Sequence, residues 1–253
     1  MLSQSKSVRA ERAPKSAYPM LENFRVVRLK FTKTGSMQYI SHLDLQRNFA
    51  RVLTRAGIPV WYTKGFNPHV KIVFGLPLSV GAQSVCEYVD IRIERDMSCE
   101  EIAARLNAEM TEEMQVIEAY EPAEGSEFAA ISWAEYDICL QCEGLTDELP
   151  AAVESYLTTS PIVIEKKSKS GVREIDMTTL IRSVKASYID ENGARALCLR
   201  CVLGAAGADY LNPEYVVGAL REKFGLLQCD ATKEEYSILR RRVLLADGET
   251  EFA

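Results

Sequence analysis

The chain has 253 residues, 47% of them apolar, and a formal charge of −6, so it is long enough to bury one large core or two of ordinary size. No apolar run approaches the ~20 residues of a membrane-crossing helix and no signal-peptide core is present, so a cytoplasmic protein without membrane contact is expected. Seven cysteines, an odd number, fit a reducing compartment, and the acidic balance argues against a dedicated nucleic-acid coating protein while leaving room for a local RNA-binding face.

Residues 1–22 lack apolar periodicity and read as a disordered tail. FRVVRLKFTK (24–33) alternates like a strand. Ser41 then opens a helix as its cap, with Asp44 three residues on as a capping-box variant. Leu45, Phe49, Val52, Leu53 and Ala56 follow at helical spacing as a buried stripe, and Gly57 with Pro59 stops the helix. VWYT (60–63) and KIVFG (71–75) read as strand material around the turn-rich KGFNPH. VCEYVDIRIE (85–94) alternates again, Ser98 caps the helix CEEIAARLNAEM, and MQVIEAYEP returns as a strand.

That β-α-β-β-α-β order repeats after a linker at 122–133, without visible sequence identity. AEYDICLQCE (134–143), the helix ELPAAVESYLT, PIVIEKK and 172–184 around a Lys/Ser/Gly-rich hairpin, ARALCLRCVLG (194–204), a helix started by Asn212-Pro213, and ILRRRVLL supply the second set. The expected fold class is α+β, two tandem ferredoxin-like (βαββαβ) antiparallel sandwiches packed together, over 23–121 and 134–245, with 246–253 as a tail.

Charge is distributed unevenly. Residues 23–81 hold nine Lys or Arg and one acid, Asp44, and both histidines of the chain, whereas residues 82–128 carry a formal −10. Such a window either meets an external polyanion or pairs with the protein's own acidic stretch. His42, at the first helical position, sits where the helix dipole favours a neutral ring able to accept a proton or a metal. Arg47, Arg51 and Arg55 follow at four-residue spacing, away from the apolar stripe, as a row that can track phosphates or simply face solvent.

In KGFNPHVK, Gly65 permits close backbone approach and Asn67-Pro68 sets a turn. Lys64, His69 and Lys71 flank it, and Phe66 either stacks on a base or plugs the core. Glu87 and Asp90 would orient a histidine ring if their strand passes beneath. If these segments form one site, His42 and His69 belong on one edge, with rings on the order of 10 Å apart. Candidate catalytic residues are therefore His42 and His69. Candidate substrate- or RNA-binding residues are Arg47, Arg51, Lys64, Phe66, Asn67 and Lys71, supported by Ser41, Asp44, Glu87 and Asp90.

Two C-x-x-C pairs, Cys139/Cys142 and Cys198/Cys201, lie inside alternating strands. Residues three apart on a strand face opposite sides, so zinc is not expected and no metal is assigned, although one cysteine of each pair can touch the other across neighbouring strands. Lys166–Arg173 and Arg240-Arg241-Arg242 either extend a phosphate track or guard a sheet edge.

SHLD (41–44), GFNPH (65–69) and S-x-x-E-Y-x-D (84–90), in this order and spacing, resemble the radical-SAM-linked bacterial domain of unknown function. The resemblance extends over roughly 24–245, more loosely through Arg173-Glu174-Ile175-Asp176 and Asn212-Pro213. That domain occurs alone or fused C-terminal to cobalamin-binding-type radical SAM proteins. The resemblance implies a radical SAM protein as partner, which would bring the iron-sulfur cluster and SAM, since this chain has no C-x-x-x-C-x-x-C. At the level of fold the tandem order also resembles CRISPR-associated RNA endonucleases, but the Gly-rich loop before their last strand is missing here. The expected function is an accessory protein that binds RNA or a nucleotide-bearing substrate. The alternatives are a metal-independent RNA-processing enzyme with a histidine base, or a structural scaffold.

Overall fold

The computed structural model describes residues 14–168, 171–191, 194–228 and 234–253. The first half runs β1 (Met20–Lys33), α1 (His42–Arg55), β2 (Ile72–Phe74), β3 (Ala82–Arg95), α2 (Cys99–Asn107) and β4 (Val116–Tyr120). The second runs β5 (Trp133–Gln141), α3 (Leu149–Thr159), β6 (Val163–Ser168), β7 (Gly171–Asp176), β8 (Ile181–Glu191), β9 (Ala194–Gly204), α4 (Glu214–Phe224) and β10 (Glu235–Leu244).

Seven strands lie in the order β4-β1-β3-β10-β5-β9-β8, β2 adds to β3 as the eighth strand of that sheet, and β6-β7 form a separate hairpin. Within the first half every pairing is antiparallel, in the order β4-β1-β3-β2. The second half repeats this as β10-β5-β9-β8. The halves join through a short parallel ladder, Ile238↔Ala82 to Arg240↔Ser84. Two separate sandwiches packed together were expected; the two sheets are instead one, in a mixed α+β fold.

β3 runs through both cores. Val89, Ile91 and Ile93 pack beneath α1 and α2 with Val27, Leu29, Phe31 and Phe49. Ala82, Cys86 and Tyr88 join the core under α3 and α4 with Tyr136, Val153, Leu199 and Leu220. The two helix pairs therefore lie on opposite faces of the continuous sheet, and each half leaves one sheet face without helices.

Local chemistry explains the elements. Ser41 Oγ accepts the Asp44 amide at 3.2 Å and donates to Asp44 Oδ2 at 2.7 Å, a reciprocal cap that satisfies an orphan amide of α1. The predicted stripe of α1 is buried to the last residue, Leu45 through Ala56. The strand expected at 60–63 does not form continuously. Val60 bridges Ile93, but Tyr62 bridges Val70 and pinches off Thr63–His69 as a projecting loop before β2 resumes on β3.

Three boundaries differ from expectation. Within the expected tail, Tyr18 and Leu21 pack on the first core and Tyr18 hydrogen-bonds Glu101. The linker supplies Phe128 and Ile131 to the second core. The C-terminal residues fold back through a Leu244↔Glu251 bridge and bury Phe252. Apolar residues at these positions, sparse as they are, suffice to seat the segments. No helix among the described residues is long and apolar enough to cross a membrane.

Candidate functional site

The basic window is largely consumed by the protein itself. Arg28, 2% exposed, grips Asp90 through Nε at 2.8 Å and Nη2 at 3.0 Å, and lies over the Phe128 and Phe252 rings. Arg25 pairs with Asp96 and Glu121, Lys30 with Glu251, and Arg55 with Glu109. Lys33 is buried and donates to the Gln38 carbonyl at 3.2 Å; burial holds its pKa below the ordinary lysine value. Internal pairing thus accounts for the inner half of the positive charge.

Of the remainder, Arg47, Arg51 and Lys64 are exposed and Lys71 is half-buried. Among the described residues Arg47 pairs with Asp44 alone, at 3.3 Å with both side chains more than half exposed, and such a pair is worth little. Among the described residues Arg51, Lys64 and Lys71 show no ion pair.

The loop between Tyr62 and Val70 holds the second constellation. His69 closes it, its amide donating to Thr63 Oγ1 at 3.1 Å and its carbonyl accepting the Thr63 amide at 2.9 Å. Gly65 sits at φ +139°, which an L side chain rarely adopts, and so turns the tip. Phe66 stands fully in solvent there. Its alternative role as a core plug is ruled out. The His69 ring is held through Nδ1, which lies 3.1 Å from Thr63 Oγ1 and 3.3 Å from the Asn67 carbonyl, so Nε2 is the ring nitrogen without a protein partner among the described residues.

His42 is not joined to this loop. Its ring rests edge-on against Phe74, the last residue of β2, at 5.2 Å, and its Nε2 accepts from Gln46 Nε2 at 3.1 Å. His69 stands before the first residue of β2, so about five residues of extended chain, ~17 Å at ~3.3 Å each, separate the positions. No contact joins the two rings. Nor do Glu87 and Asp90 orient either ring: Asp90 is clasped by Arg28, and Glu87 by Arg240. Those two supporting roles are corrected. The acids were needed to neutralise buried arginines, a stronger demand than orienting a ring.

The S-x-x-E-Y-x-D segment is a joint. Ser84 Oγ accepts the Cys86 amide at 3.1 Å, Tyr88 Oη donates to the Phe252 carbonyl at 2.9 Å, and Glu87 meets a 1%-exposed Arg240 that also donates to the carbonyls of Leu76 (2.9 Å) and Pro77 (3.3 Å). Arg240 is therefore no part of a surface track. The strap it holds, Gly75–Ser79, faces Phe128 and Ala205–Tyr210 across an apolar cavity of about 670 Å³.

Sequence reasoning missed an aromatic cluster beside the loop. Arg92 lies over the Phe24 ring at 4.1 Å and near Trp61 at 5.6 Å, and those two rings are 5.4 Å apart. The Arg92 carbonyl accepts the Trp61 amide at 2.8 Å, but its guanidinium makes no ion pair or hydrogen bond among the described residues, so the rings hold it. Its position on the polar side of an alternating strand was the available signal.

In the second half, Lys166 anchors the hairpin by donating to the carbonyls of Ala208 (2.8 Å) and Tyr210 (2.7 Å); Lys169 and Ser170 lie outside the described residues. Cys139 and Cys198 stand opposite in register and are disulfide-bonded, a covalent link where only a contact was expected. No group of three or more His, Cys, Asp or Glu among the described residues is placed to hold a metal.

A half-exposed basic and aromatic face on a mixed α+β fold describes the class. The chain belongs to the bacterial family described as "Uncharacterized protein conserved in bacteria (DUF2344)", which matches residues 26–213. No curated protein matches it. Among solved structures it is similar to a chain in a crystal structure of a Cbf5-Nop10-Gar1 complex, at 10% identity and a TM-score of 0.43 over 91% of this chain and 51% of that one. It therefore spans about half of that chain's length. A second similarity, to an unknown protein from Galdieria sulphuraria, has 7% identity and a TM-score of 0.23 over 86% and 99% of the two chains. Neither likeness carries an argument about function.

Proposed function

We propose that the protein is an accessory subunit that binds RNA, or a nucleotide-bearing substrate, for a cytoplasmic radical SAM partner, which brings the iron-sulfur cluster and SAM. In this reading each half is a ferredoxin-like unit, as its repeated strand order supports, and the first presents the substrate. The observation that carries it is Phe66, fully exposed at a glycine-turned tip, with Lys64 and Lys71 flanking the loop in sequence and showing no ion pair among the described residues. An aromatic ring held in water is costly for a soluble fold and useful for stacking a base, while the cations and the outer face of α1 meet phosphates. The radical SAM association rests on the motif order alone.

The test is RNA affinity at two salt concentrations. Wild type should weaken steeply with salt. Phe66→Ala should lose about tenfold or more, since a stacked base is worth ~1–3 kcal/mol. Arg47→Ala/Arg51→Ala should flatten the salt slope by up to about two phosphate contacts. Unchanged affinity in both variants would remove the reading. Co-purification with a radical SAM protein checks the partner.

One observation favours a second reading, an RNA-processing enzyme. The exposed His69 is positioned through Nδ1 by Thr63 and Asn67, which leaves its Nε2 facing solvent as the nitrogen that could exchange a proton with a substrate. RNA cleavage in EDTA, lost in His69→Ala, would establish it.

A further inference from the structure

The face of the second half that carries no helices bears three arginines whose arrangement the fold contrives. Alternation along β10 should send Arg240 to the core, Arg241 out and Arg242 in. A bulge between Arg240 and Arg242 adds one residue, so Arg242 pairs with Glu135 and both Arg241 and Arg242 face outward. Arg200 joins them from β9. The three line a depression of about 550 Å³ with Glu135 and Val85.

Two carboxylates set the arginine planes without exhausting them. Asp137 accepts from Arg200 Nε at 2.8 Å and Nη2 at 3.1 Å, and Glu135 accepts from Arg242 Nε at 3.2 Å and Nη2 at 2.6 Å. Among the described residues each of these guanidiniums keeps Nη1 unspent, and Arg241 has one ion-pair contact, at 3.6 Å to the already occupied Asp137, with its side chain 45% exposed. Lys185 stands directly opposite Arg200 in the β8–β9 ladder, and like charges opposed in a sheet repel. The depression thus holds surplus positive charge and spare fork-shaped donors.

Edge protection cannot account for it. β10 lies between β3 and β5, in the interior of the sheet, where there is no edge to guard.

We infer that this depression is a phosphate-binding site, with Arg241 as its principal donor and the free Nη1 groups of Arg200 and Arg242 completing the clamp. Guanidiniums suit phosphate oxygens, and an anion there relieves the repulsion between Lys185 and its neighbours. The phosphate belongs either to a diffusible nucleotide-like compound or to a nucleic-acid strand. The site is separate from the face proposed above and stands or falls without it.

The experiment titrates the full chain with inorganic pyrophosphate and, separately, with a uridylate dodecamer. Calorimetry reads wild type, Arg241→Ala, Arg241→Gln and Arg47→Ala/Arg51→Ala, with circular dichroism and melting checking each fold. The expected result is binding of at least one probe, weakened tenfold or more in both Arg241 variants at unchanged melting temperature. Pyrophosphate binding that Arg47→Ala/Arg51→Ala leaves intact supports the site and points to a diffusible ligand. Dodecamer binding alone, reduced by Arg241→Ala, supports it with a strand phosphate as ligand. If neither probe binds, or if Arg241→Ala and Arg241→Gln both bind like wild type, the inference is overturned, even where Phe66→Ala still abolishes RNA binding.

Discussion

Replacing Glu87 by alanine should cost more than almost any surface change in this chain. Glu87 is 3% exposed and Arg240 1%, and the two are paired at the parallel joint. Without the carboxylate, Arg240 keeps neutral partners, the carbonyls of Leu76 and Pro77 and the Tyr136 hydroxyl. Lys33, equally buried, loses the Glu87 charge that offsets its desolvation, so two buried cations face each other without that carboxylate. Breaking a buried pair from one side costs about 3–5 kcal/mol. For a chain of this size that is a fall in Tm of about 6–20 °C, at ~2–4 °C per kcal/mol. Urea unfolding followed by tryptophan fluorescence is the natural assay, because Trp61 reports on one half and Trp133 on the other. The double variant Glu87→Leu/Arg240→Met removes both charges and should recover more than half of the loss, since a buried pair and an apolar replacement of similar volume are often equally stable. A loss below about 1 kcal/mol in Glu87→Ala, or a double variant no more stable than the single, would refute the reasoning.

Removing the α1 cap with Ser41→Ala should cost about 1 kcal/mol. It should also raise the pKa of Asp44, which the Ser41 hydroxyl holds below the usual carboxylate value, as an NMR titration would record. Acid stability has a second local source in Asp247, whose pKa is lowered to about 2, first by the Thr250 hydroxyl and then by the amides of Glu249 and Thr250. Its folded pKa lies below its unfolded one, so its contribution is complete above about pH 4 and is lost as pH falls through about 2. Melting curves across that interval should show a shallower decline for Asp247→Ala than for wild type. Reducing the Cys139–Cys198 bond, which closes a 59-residue separation, should destabilise the chain by up to about 4 kcal/mol on the chain-entropy account, measured as a shift in urea midpoint with and without dithiothreitol.

Helix α1 was fully legible because every signal agreed: Ser41 and Asp44 at the start, a stripe at helical spacing, and Gly57 after the end. The alternation in 85–94 gave β3 its direction and faces. Nothing local encodes the three-residue parallel ladder that fuses the halves, because its pairing depends on strands more than 150 residues apart. Arg240 was readable in principle, since Ile238 and Arg240 share a strand face. The run of three arginines argued for the surface more loudly than the alternation argued for the core. The two histidines have separate partners for a plainer reason. Chain leaves the sheet after Trp61 and returns at Ile72, which carries His69 outward on a loop rather than along the edge beside α1. Phe24, Trp61 and Arg92 were missed because each lies in a different segment, and only the sheet register brings them together.

The parallel ladder also imposes an order on synthesis. Glu87 emerges 153 residues before Arg240, which at ~5–20 residues per second is roughly 8–30 s of translation. Through that interval the first half can assemble its own core around Phe49, while the Ala82–Ser84 segment of β3 waits as an unpaired edge. The strand that covers it, β10, is made only after the whole of the second half up to α4. A nascent chain in this state offers an open strand to any neighbour on the same messenger. Its escape from that hazard depends on how fast β10 folds home.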